Sequence, residues 1–241
     1  MRVGCLQFAP RLKDVEWNRR RCSQLIEAEA VERGSLSLLI LPEMCFTGYT
    51  FKDKEDIMPL AEDEQGETIK WAVHWAKRLR TFIQLGYPRK HTARDGSITL
   101  YNSVSLVSRS GEVIYTYDKH FLYELDERWA AEGTGFLSID VPPFGKVGPG
   151  ICMDVNPYRF EAPFEAFEFA TFHKAQGTEM VICSNAWLMS EGVDERSQDV
   201  CLPTIRYWAT RMSPLIDCEK ALVFVVANRT GAEGGEHLCH A

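Results

Sequence analysis

Glu43 closes the apolar run Leu38-Leu39-Ile40-Leu41-Pro42-Glu43, and Lys119 closes the alternating run Val113-Ile114-Tyr115-Thr116-Tyr117-Asp118-Lys119. Cys152 follows a third strand-like stretch, in Gly150-Ile151-Cys152-Met153-Asp154. A carboxylate, an ammonium and a thiol thus each fall where a strand gives way to a loop, the position that catalytic groups take in layered α/β enzymes. Together they suffice for nucleophilic opening of a carbon–nitrogen bond without metal or organic cofactor. The thiolate is the nucleophile, so a nearby ammonium is expected to lower the pKa of Cys152. Lys119 is also expected to hold the negative oxygen that develops on the attacked carbon, with the backbone N–H of Met153 as a second donor. Glu43 would take the thiol proton, pass it to the departing nitrogen and then activate water. Each residue alone has a plainer role: Cys152 a buried strand-end thiol, Glu43 a cap or ion-pair partner, Lys119 a solvated strand end.

These groups need a scaffold that gathers strand ends. The apolar pattern alternates between period 2 and period 3.6 along the chain. Strands are expected over residues 2–9, 36–41, 82–87, 101–107, 113–118, 136–141, 180–184 and 222–227, and in the stretch leading to Cys152. Cys22, Leu25, Ile26 and Ala30 mark one helix face, and Ile69, Ala72, Val73, Ala76 and Leu79 a second. Residues 163–175 read as helical, and another helix begins near Pro203 and ends before Pro214. Ser108-Arg109-Ser110-Gly111 is a hairpin signal that interrupts a purely parallel order. The expected fold is therefore α/β, a sandwich of two mixed sheets with helices outside, with a single doubly wound sheet as the alternative. Pro149 predicts an unpaired or bulged position before Cys152.

The chain has 241 residues, 45% hydrophobic and 25% charged, which suits a soluble globular protein. A net charge of −7 argues against nucleic acid or an anionic membrane as partner. The start carries neither a secretory nor a transit-type leader, and the reading is cytoplasmic. The eight cysteines are scattered without a C-x-x-C pair, as expected of reduced, mostly buried thiols. His237-Leu238-Cys239-His240 lacks a partner pair at finger-like spacing, so no metal is expected.

The words around the three groups resemble the nitrilase superfamily of carbon–nitrogen hydrolases. They are Leu41-Pro42-Glu43-Met44-Cys45-Phe46-Thr47-Gly48-Tyr49, Tyr117-Asp118-Lys119-His120-Phe121-Leu122, Gly150-Ile151-Cys152-Met153-Asp154 and Ala227-Asn228-Arg229-Thr230-Gly231. The resemblance runs from Arg2 to about Gly235. It implies a Glu43-Lys119-Cys152 triad on a four-layer α-β-β-α sandwich without cofactor. It further implies a second carboxylate after the lysine, placed at Glu127 with Glu124 as rival.

Within the superfamily, Cys152-Met153-Asp154-Val155-Asn156-Pro157-Tyr158, His120-Phe121-Leu122-Tyr123-Glu124 and Tyr49-Thr50-Phe51 look like the fungal-type protein N-terminal amidases. That implies peptide or protein substrates beginning with Asn or Gln, converted to Asp or Glu with release of ammonia through a cysteine thioester. In that family the product feeds degradation governed by the N-terminal residue. Such a substrate carries an ammonium close to the scissile amide and calls for a fixed negative charge. Asp154 is the first candidate, with Glu124, Asp126 and Asp53 behind it, and Trp187 is a candidate pocket wall. Alternatives are a small-molecule amidase, carbamoylase or nitrilase, or an inactive binding product. The expected single domain spans residues 1–241; residues 235–241 show no strand pattern, so the usual C-terminal strand and tail are expected to be missing. Oligomeric state is not readable.

Overall fold

Each catalytic candidate lies shortly after the C-terminal end of a strand. The computed structural model describes residues 1–29, 31–189, 200–216, 221–233 and 236–238. In order, the elements are β1 (Val3–Cys5), α1 (Val15–Ala28), β2 (Leu38–Ile40), α2 (Lys54–Ile57), α3 (Glu67–Leu79), β3 (Phe82–Thr92), β4 (Ile98–Val107), β5 (Val113–Asp118), β6 (Ile139–Val141) and β7 (Gly145–Ile151). Then come α4 (Glu168–Gln176), β8 (Met180–Asn185), α5 (Leu202–Arg211), α6 (Ser213–Ile216), β9 (Val223–Asn228), β10 (Gly231–Glu233) and β11 (Glu236–Leu238).

Two mixed sheets form, in the orders β1-β2-β3-β4-β5 and β6-β7-β8-β9. In the first, β1, β2 and β3 are parallel, and the β3-β4-β5 hairpins are antiparallel. In the second, β6 is antiparallel to β7, and β7, β8 and β9 are parallel. The inner faces meet in one buried apolar core, where Leu38, Ile40, Val104, Leu106 and Tyr117 pack with Val147, Ile151, Met180 and Ile182. Outside the first sheet, Cys22 and Ile26 of α1 and Ile69, Ala72, Trp75 and Ala76 of α3 cover Leu39, Ile83 and Leu85. Outside the second, Phe169 of α4, Trp208 of α5 and Leu215 of α6 cover Val181 and Cys183. This is the α-β-β-α sandwich; the single doubly wound sheet is excluded.

Departures from the expected elements have local causes. The first strand ends at Cys5 because its neighbour β2 ends at Ile40, just before Pro42 turns the chain. The helix expected over 163–175 begins only at Glu168, since Phe167 is left-handed at φ 46°. Pro149 needs no bulge: the β7-β8 register runs unbroken through Pro149↔Ile182. The N–H it lacks would lie on the same side as that of Ile151, which leaves the ladder and donates to Asp154. After Gly235, where no strand was expected, Glu236–Leu238 pairs antiparallel with β10. The side chains of His237, Cys239 and His240 lie outside the described residues. Among the described residues no helix is long and apolar enough to cross a membrane.

Candidate active site

The parallel arrangement puts the C-terminal ends of β2 and β5 on one edge of the first sheet, and those of β7, β8 and β9 on one edge of the second. Glu43 leaves β2 through a tight turn packed on β3. A Cβ at Gly86 would lie 2.7 Å from the Glu43 Cα and 2.8 Å from the Pro42 oxygen, so only glycine lets β3 approach. Lys119 is held at the end of β5 by backbone bonds: its N–H donates to Asn102 O at 2.8 Å, and its O accepts from Gly133 N at 2.8 Å.

Both side chains are fully buried and joined. Lys119 Nζ donates to Glu43 Oε1 at 2.7 Å and to Asp126 Oδ2 at 2.6 Å. Asn102 Nδ2 donates to the same Glu43 oxygen at 2.7 Å and to Asp126 Oδ1 at 3.1 Å. The Ala186 N–H, just past β8, donates to Glu43 Oε2 at 2.8 Å. Tyr49 OH and Tyr123 N each donate to Asp126 Oδ2 at 3.1 Å. Burial raises the Glu43 carboxyl above its usual range, and the Lys119 charge opposes that rise. For Lys119 burial acts downward, yet Asp126 and then Glu43 outweigh it and keep the ammonium charged.

Cys152 follows β7 with φ 40°, in a region that β-carbon-bearing residues rarely occupy. Its N–H donates to Asn185 Oδ1 at 2.9 Å, which ties the turn to β8. The ammonium does not lower this thiol overall. Burial and the Glu43 charge push it well above its ordinary value, and Lys119 only partly opposes them. The resting site is therefore a thiol beside a carboxylate, not a preformed thiolate.

A cavity of about 350 Å³ opens onto Cys152, walled by Tyr49, Tyr123, Glu124, Met153, Phe160 and Trp187, among others. The Trp187 backbone is pinned by Asn228, whose Oδ1 accepts from Trp187 N at 2.7 Å and whose Nδ2 donates to Trp187 O at 3.1 Å. Behind the cavity, Arg229 and Glu233 form a buried pair at 2.5 Å, and Glu233 Oε1 accepts from the N–H groups of Tyr49 and Thr50 at 2.7 Å each. The fourth sequence word thus braces two walls of the cavity.

Two expected placements change. The carboxylate that reaches Lys119 is Asp126, whereas Glu127 faces Arg159 at 3.7 Å with its side chain 46% exposed. Asp126 and Glu127 lie on one short 3₁₀ turn, so a step of one residue rotates the side chain from core to solvent. Leu122, Asp126 and Trp129 are all buried, whereas Glu127 and Arg128 between them are exposed. Asp154 is not a free charge for a substrate. It accepts from Ile151 N, Phe121 N, His120 N and Tyr117 OH at 2.8 to 3.1 Å, which uses its lone pairs to close the turn after β7. Burial pushes its carboxyl up to about 6 against those donors. Asp53 caps α2 through Asp56 N. Among the described residues, Glu124 is the carboxylate that lines the cavity. Asn102 was missed in the sequence, where it is one polar residue among several in Thr99-Leu100-Tyr101-Asn102-Ser103-Val104-Ser105.

Residues 2–159 match the sequence model described as carbon-nitrogen hydrolase. A protein N-terminal amidase of Schizosaccharomyces pombe is 40% identical, over 97% of this chain and 86% of its own length. One of Saccharomyces cerevisiae is 27% identical over 81% of this chain, which spans 47% of that relative. A crystal structure of an N-terminal amidase superposes with TM-score 0.71 at 26% identity, covering 80% of this chain and 49% of that one. A crystal structure of an N-terminal amidase with an Asn-Glu-Ala peptide superposes with TM-score 0.82 at 19% identity, over 98% of this chain and 87% of that one, a likeness of fold.

Proposed function

The chain belongs to the carbon-nitrogen hydrolase family, and from that premise we propose that it hydrolyses the side-chain amide of Asn or Gln at a peptide N-terminus. The observation that carries the reading is that the thiol of Cys152 and the carboxylate of Glu124 share one cavity. An N-terminal Asn or Gln has its ammonium only a few bonds from the side-chain amide, so one cavity must serve a nucleophile and an anion. Relatives named protein N-terminal amidases agree with that substrate.

In this reading the amide carbon sits over Cys152 Sγ. Glu43 accepts the thiol proton as sulfur attacks, which suits a thiol whose pKa is raised and a carboxylate whose own is raised toward it. An ammonium has three N–H donors; Lys119 gives one each to Glu43 and Asp126 and directs the third at the developing oxyanion. The Met153 N–H is the second donor to that oxygen. Collapse returns the proton from Glu43 to the amide nitrogen, which leaves as ammonia and produces a thioester. Glu43 then deprotonates water, the thioester is hydrolysed, and Cys152 regains its proton. The product begins with Asp or Glu, the kind of terminus that a degradation pathway reading N-terminal residues would use.

Asp126 and Asn102 act through Lys119 and Glu43 as positioning residues. Glu124 meets the substrate ammonium. Glu124→Gln is expected to raise KM for Asn- and Gln-initiated peptides about 10- to 100-fold, the worth of one charge-assisted hydrogen bond, with a smaller change in kcat. An unchanged KM in steady-state ammonia-release assays would remove Glu124 from the ammonium site.

A further inference from the structure

Phe160 combines two features that folding alone does not favour. Arg159 and Phe160 are consecutive non-glycine residues with φ 55° and 56°, both left-handed. The Phe160 side chain is also 56% exposed while lining the Cys152 cavity. The turn is held in this shape from the Lys119 side of the site. Tyr158 OH donates to Glu132 at 2.7 Å, its ring lies 5.0 Å from that of Phe121, and Arg159 lies 3.7 Å from both Glu127 and Glu132. Phe160 N donates to Pro157 O at 2.9 Å, closing the turn with the ring at the cavity mouth.

Depth orders the cavity. Met153 and Ala186, 2% and 3% exposed, form its floor, and Glu124 and Phe160 stand at its exposed rim. Under the proposed function the first residue enters side chain first, so its ammonium and carbonyl stay near the rim. The second residue then lies farther out, where the apolar ring waits. Resting on that function, we propose that Phe160 is the platform for the side chain of the substrate's second residue, so that the enzyme favours an apolar or aromatic residue there.

The test compares kcat/KM for ammonia release from Asn-Leu-, Asn-Phe- and Asn-Gly-initiated peptides of otherwise equal sequence. The parent enzyme is expected to favour the first two about tenfold, through KM, the worth of partly burying a large apolar side chain. Phe160→Ala is expected to bring that ratio close to one, and Phe160→Leu to keep most of it. A parent enzyme without preference, or a ratio unmoved by Phe160→Ala, would overturn the platform while leaving the amidase reading intact. No ammonia from any of the peptides would overturn both.

Discussion

A Cys152→Ala enzyme is expected to release ammonia from an Asn-initiated peptide at least about 10⁴-fold more slowly than the parent, with little change in melting temperature. The activity loss follows from the site's composition. Glu43 and Lys119 are fully buried and bonded to each other, so neither can replace the sulfur as an attacking group. The small stability change follows from the backbone. Cys152 occupies a left-handed conformation that alanine tolerates no worse, and the Asn185 bond is made by the main-chain N–H. Single-turnover kinetics and a thermal melt on the same preparation check both halves. Activity within tenfold of the parent would mean that another group attacks the amide.

The second large effect falls on Lys119. Lys119→Met removes the cation that joins two buried carboxylates, Glu43 and Asp126. Breaking a buried ion pair by deleting one partner costs about 3–5 kcal/mol, because the remaining charge is left uncompensated. Activity falls with it, since the oxyanion loses its ammonium donor, a loss of at least about 10²–10³ in kcat. The pH dependence of the damage is diagnostic. The Glu43 carboxyl is already raised by burial, and losing the Lys119 charge that opposes the rise moves it further up. A carboxyl whose folded pKa exceeds its unfolded one binds more protons in the native state. Its destabilisation is therefore absent below the unfolded value and grows as pH rises through the folded one. Urea unfolding of Lys119→Met should thus show its deficit shrinking toward acidic pH, whereas Cys152→Ala should track the parent. A deficit independent of pH would point to lost packing in place of uncompensated charge.

The sequence read most clearly where one element decides one residue. The pattern from Tyr115 to Asp118 alternates and ends where β5 ends, so Lys119 was visible as a strand-end group; the apolar run Leu38 to Leu41, which begins with β2, served likewise for Glu43. Layering was visible too, because hairpins next to helical patterns leave few ways to bury both faces of two sheets. What could not be read depends on the third dimension. Asp126 and Glu127 differ by one position on a 3₁₀ turn, and only packing shows which enters the core. Asp154 is a carboxylate beside a nucleophile in either role, but four donors from two segments of chain occupy it. The direction of the Cys152 shift was reversed because a motif shows the neighbouring ammonium and conceals the burial around the thiol. Strand β11 was missed since three residues are too short to show alternation.

The central claim is that the cavity reads a free N-terminal ammonium next to a side-chain amide. The most direct measurement is ammonia release from matched peptides beginning with Asn, Gln and N-acetyl-Asn, with Cys152→Ala as control. The expected result is turnover of the first two, loss of about 10-fold or more in kcat/KM on acetylation, and none with the alanine enzyme. Equal turnover of the acetylated and free peptides, or turnover of small free amides with no peptide hydrolysed, would contradict it.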